Sequence, residues 1–91
     1  MIQIEITENQ IKAEGHASTL ICNSISVLMW SLATSLAYAQ AKDLEEEEAD
    51  GYQRVKYTPS RKTKPIFDGY AESFKLMGVQ YPNSIRIVTE K

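Results

Sequence analysis

A single cysteine in a chain of 91 residues rules out an internal disulfide, so no cross-link can stand in for a packed core. The N-terminus lacks the positive n-region and long apolar h-region of a secretory signal, which leads to the expectation of a reducing, cytoplasmic setting. Long hydrophobic runs are missing as well. The most apolar stretch, Leu20 to Ala39, is interrupted by Asn23, Ser24, Ser26, Ser31, Thr34 and Ser35, so it reads as a soluble helix with no membrane partner. Neither sign of charge dominates, since 12 acidic side chains against 10 basic ones leave a net charge of -2. That balance gives no general field for gathering nucleic acid or an anionic surface, and no direct nucleic-acid contact is expected. The 43% hydrophobic content suits one modest core, and residues 1–91 are read as one domain.

Periodicity supplies the elements. Ile2, Ile4 and Ile6 alternate with Gln3, Glu5 and Thr7, the period-two pattern of a strand with one buried face. Glu8, Asn9 and Gln10 make a polar turn, and the alternation resumes from Ile11 to His16, which predicts a hairpin with His16 at its exit. Ser18 or Thr19 then caps a helix whose Ile21, Ile25, Leu28, Leu32 and Leu36 form one apolar stripe, and that helix is expected to run to about Lys42.

The acidic run from Asp43 to Asp50 is read as a solvated loop or fraying helix end before the Asp50-Gly51 turn. No histidine or calcium-loop glycine is interleaved with it, so no metal site is assigned. Tyr52 to Thr58 reads as a third strand. Pro59 to Pro65 reads as a basic connection, with a further short strand as an option. Arg54, Lys56, Arg61, Lys62 and Lys64 are read as a solvated edge rather than a phosphate-binding patch. A second helix fits Ile66 to Met77, with Phe67, Tyr70, Phe74 and Met77 on one side and Gly78 ending it, and Ser84 to Thr89 is a last strand. The expected fold is therefore α+β, a two-layer sandwich in the order ββαβ(β)αβ. Its antiparallel or mixed sheet has four to five strands and carries two helices.

The one histidine and the one cysteine fall close together, His16 at the hairpin exit and Cys22 in the first turns of the helix, at the margin of its stripe. A thiol there feels the positive end of the helix dipole, and a nearby imidazole favours the thiolate further, so His16 and Cys22 are candidates for nucleophilic chemistry. The bland reading is a small buried hydrophobe beside a turn histidine.

Several short motifs occur in a particular order: Gly15-His16-Ala17, Ile21-Cys22 with Ser26 one turn later, Asp50-Gly51-Tyr52, Gly78 before Tyr81-Pro82, and the closing Ile85-Arg86-Ile87. Over nearly the whole chain this pattern resembles the bacterial and phage ribosomal-processing cysteine protease family. There a Gly-His-Ala ends the second strand and a Val-Cys-Ala-Ala-Val-Ser starts the first helix, together supplying the catalytic dyad that His16 and Cys22 match. The resemblance implies a cysteine endopeptidase, usually a homodimer and needing no cofactor. Its protein substrate would be a large-subunit ribosomal protein carrying an N-terminal extension, or a phage structural protein. It places Ala17, Ser18, Thr19 and Ser26 near the substrate, and Ser26 or an acidic side chain is open as the group orienting the imidazole. Two departures from the family are plain. Only Ala17 to Ile21 separate the dyad where the family has a longer, glycine-containing loop, and Asn23 and Ser24 replace the two alanines after the cysteine. The short loop motivates an alternative, a catalytically inactive homologue that acts as a binding or dimerisation module. A redox-sensing thiol is a third reading, which requires an external thiol partner.

Overall fold

The computed structural model describes residues 1–90. Seven elements follow one another: β1 (Ile2–Ile6), β2 (Gln10–Gly15), α1 (Thr19–Tyr38), β3 (Lys42–Ala49), β4 (Tyr52–Thr58), α2 (Lys64–Gln80) and β5 (Ile85–Thr89). The strands form one sheet in the order β3-β4-β2-β1-β5. β5 runs parallel to β1 and every other pairing is antiparallel, so the sheet is mixed and has five strands, as the α+β sandwich required.

Alternation decides the layers. Ile2, Ile4, Ile6, Ile11, Ala13, Val55, Tyr57 and Ile85 are buried on the face covered by the helices. The opposite face is an open array of charge in which Lys12 pairs with Glu5 and Glu14, and Arg54 with Glu45 and Glu47. α1 contributes Ile21, Ile25, Met29, Leu32, Ala33 and Leu36 to the core, and α2 contributes Phe67, Ala71 and Phe74. By length and composition alone α1 is apolar enough to cross a membrane, and here it lays that stripe on the sheet. Its serines hold neighbours: the Tyr70 hydroxyl of α2 shares hydrogen bonds with Ser31 and Ser35.

Four boundaries differ from the sequence reading. The acidic run is neither loop nor helix end but the edge strand β3. Antiparallel register sets Glu47 beside Arg54, whose guanidinium donates to Glu45 and Glu47, so cross-strand pairing offsets the repulsion within the run. α1 stops at Tyr38 rather than near Lys42, because Gln40 turns left-handed (φ 60°) while the Gln40 and Ala41 amides close on the Ala37 and Leu36 carbonyls. The Pro59–Pro65 connection holds no strand. Ser60 and Thr63 hydrogen-bond each other, and α2 begins at Lys64 with Pro65 in its first turn. Gly78 does not end α2 but lies within it, where a β-carbon would come 2.5 Å from Ile87 Cγ1; its job is close helix–strand packing.

Candidate active site

Three chain segments meet at one end of the sandwich: the exit of β2, the start of α1 and the β3–β4 turn. Gly15 ends β2 at φ +114°, and a β-carbon there would collide with the Met1 carbonyl oxygen, so only glycine lets the strand close against β1 and deliver His16. The Gly15 amide donates to the Gly51 carbonyl at 2.9 Å, tying that exit to the β3–β4 turn. The Met1 amino group donates to the His16 carbonyl at 2.8 Å. Ser18 is the N-cap of α1, its hydroxyl accepting from the Ile21 amide at 3.3 Å.

Between these segments lies a cleft of about 230 Å³ whose lining includes His16, Cys22, Ser26, Glu48, Gly51 and Gln53. The structure thus brings His16, Cys22 and Ser26 to one cavity. His16 is exposed and Cys22 half-buried at the margin of the α1 stripe, as its place on the helical wheel requires. Ala17, Ser18 and Thr19 are not among the lining residues; they form the short link between imidazole and thiol. The Cys22 thiol donates to the Ala17 carbonyl at 3.6 Å. The Cys22 amide is bonded to the Ser18 carbonyl at 2.9 Å and the Ile21 amide to the Ser18 hydroxyl, which leaves the amides of Thr19 and Leu20 without a partner among the described residues.

Ser26 is engaged elsewhere than the imidazole. Its hydroxyl donates to Gln53 Oε1 at 3.0 Å, Gln53 Nε2 donates to Glu48 Oε1 at 3.2 Å, and the same Glu48 oxygen accepts from the Trp30 indole at 3.1 Å. This chain of polar contacts runs from the cleft along α1 into a second hollow of about 100 Å³ beside Trp30. Gln53 and Glu48 are not singled out from sequence: Gln53 falls in the stretch read as the third strand, and Glu48 in the acidic run read as loop or fraying helix end, where four consecutive glutamates show no strand period. Among the described residues no side-chain partner holds the imidazole, and no group of three or more His, Cys, Asp or Glu is placed to hold a metal ion.

No family model matches the sequence, and no curated protein matches it. Solved structures do. An essential ribosomal processing protease Prp from S. aureus, in complex with a covalently linked product peptide, superposes with a TM-score of 0.84 at 16% identity, over 99% of this chain and 100% of that one. The S. aureus protease in complex with a substrate peptide gives the same TM-score and coverage at 13% identity. SMU.848 from Streptococcus mutans gives 0.78 at 22% identity, over 99% of both chains. Over nearly its whole length, this chain has the fold of the ribosomal processing protease Prp.

Proposed function

We propose that this chain is a cysteine endopeptidase in which Cys22 is the nucleophile and His16 the general base and acid. The observation that carries the reading is that the one thiol and the one imidazole line the same cleft at a helix N-terminus, in the fold of a protease crystallised with peptides. In the reaction, His16 takes the Cys22 proton and the thiolate attacks the scissile carbonyl, giving a tetrahedral oxyanion. Backbone N–H groups at the start of α1 are the donors proposed for that charge. His16 then protonates the leaving amine, and water releases the acyl group from sulfur with His16 again acting as base. The substrate we favour is a protein with an N-terminal extension, a large-subunit ribosomal protein or a phage structural protein. That class agrees with the neighbour's being a ribosomal processing protease.

One contact favours a second reading. The thiol donates to the Ala17 carbonyl, an arrangement that also suits a binding or dimerisation module which has kept the scaffold without proteolysis. Cleavage of peptides spanning a ribosomal N-terminal extension, compared with Cys22→Ala and His16→Ala variants, separates the two. The protease reading expects each variant to lose about 1,000-fold or more of the rate. No cleavage by the unaltered chain across several such peptides sinks it and leaves the module. Alkylation of Cys22 against pH is a second test: reactivity is expected to persist well below the ordinary cysteine pKa of about 8.5 and to weaken on its acid side in His16→Ala.

A further inference from the structure

Among the described residues no hydrogen bond orients the imidazole, yet its surroundings restrict it sharply. Gly51, the second residue of the β3–β4 turn, has φ +67°, and a β-carbon on it would stand 2.5 Å from His16 Nε2, 2.9 Å from Cε1 and 3.3 Å from Cδ2. The outer half of the ring therefore occupies the space where any other residue would carry its side chain. The consequence differs from that at Gly15, where the first atom met is a backbone oxygen. At Gly51 the atoms met are the far end of a side chain, so an added β-carbon displaces the imidazole rather than backbone, with a separate strain from the left-handed φ that alanine bears worse than asparagine. The Gly15–Gly51 hydrogen bond of 2.9 Å fixes the seat relative to the residue that carries the ring.

We infer that Gly51 is a positioning residue: the vacancy at its α-carbon seats the His16 imidazole, and through it the β3–β4 turn sets how the ring faces the cleft shared with Cys22. This rests on the thiol–imidazole reading of the site and adds a determinant contributed by a turn remote in sequence from both residues.

The chain has one histidine, so its ring resonances are unambiguous in NMR spectra. In the unaltered protein, nuclear Overhauser contacts between the His16 ring protons and the Gly51 α-protons are expected. Gly51→Asn and Gly51→Ala then separate two roles for the glycine, because asparagine accepts left-handed backbone far better than alanine but carries the same β-carbon. Both variants are expected to keep their circular dichroism, shift the ring resonances and cut the His16-dependent part of Cys22 alkylation about tenfold or more. On a cleavable peptide, kcat is expected to fall about 100-fold with KM nearly unchanged. Absence of the Overhauser contact overturns the inference. So does a Gly51→Asn protein whose ring resonances match the unaltered chain, since the glycine would then serve the turn alone. Should the unaltered chain cleave nothing while the contact and the ring shifts are found, the protease reading falls and the seat stands.

Discussion

The two helices treat their shared sheet differently. α2 covers the β5 side with Phe67, Ala71 and Phe74 buried, and Phe67 meets Tyr57 of β4 with ring centroids 5.0 Å apart. Its half is apolar interlock. α1 buries an equally apolar stripe, but its first turn stands free beside His16, and its outer side carries exposed Leu20, Val27, Trp30 and Tyr38. Chemistry collects where the apolar layer gives way to a helix start, a strand exit and a turn, each supplying polar backbone or a side chain that packing does not consume. The comparison teaches that stability and reactivity belong to opposite halves of the sandwich and are separable by substitution.

The strongest test of that separation compares Phe74→Ala with Cys22→Ala in urea unfolding. Phe74 is fully buried, and truncating it is expected to cost about 3–5 kcal/mol through lost transfer energy and the cavity left behind. Cys22 sits half-buried at a stripe margin, so its loss is expected to cost only about 1 kcal/mol while abolishing thiol chemistry. Equal losses would show that the reactive corner is part of the core and would break the comparison.

A smaller effect sharpens the picture inside the α1 half. Ser26 donates to Gln53, so Ser26→Ala frees one half-exposed acceptor that water can reach, at a cost of about 1 kcal/mol. Because no contact joins Ser26 to the imidazole, the pH profile of Cys22 alkylation should not move. If instead it shifts as far as in His16→Ala, Ser26 orients the ring after all, by a rearrangement of the cleft.

How much of this was legible follows residue by residue. The Ile2–Ile4–Ile6 alternation and the Ile21–Ile25–Leu32–Leu36 stripe carried their elements outright, because burial on one face leaves its period in the sequence. β3 was not legible: four consecutive glutamates have low strand propensity, and only partners on other elements, Arg54 of β4 for Glu45 and Glu47 and Trp30 of α1 for Glu48, make the strand acceptable. The end of α1 was hidden for a related reason, as Gln40 adopts the left-handed cap that glycine usually marks. At the candidate site, the scarcity of histidine and cysteine exposed His16 and Cys22. Gly51 against the imidazole and Gln53 between Ser26 and Glu48 depend on the turn folding back over the helix start, and local sequence does not encode that contact.

The smallest effect at neutral pH belongs to Tyr57, on the helix-covered face of β4. Its ring is 1% exposed and its hydroxyl is buried with no hydrogen-bond partner among the described residues. Removing an unsatisfied buried oxygen while keeping the ring is close to neutral or slightly favourable, so Tyr57→Phe should change stability by less than about 1 kcal/mol at pH 7. Alkaline solution amplifies the difference. Burial, helped by the negative charges of Asp68 and Glu8, pushes the phenol up to about 12 from the usual 10.0. The folded state therefore holds the phenolic proton that the unfolded chain releases, and the stability carried by the neutral phenol is fully present below pH 10 and lost as the pH rises toward 12. Wild type should weaken across that window by on the order of 2 kcal/mol more than Tyr57→Phe, in urea titrations at successive pH values. Parallel decline of the two proteins would mean that water reaches the hydroxyl, and the apolar half of the sandwich would be looser than its packing implies.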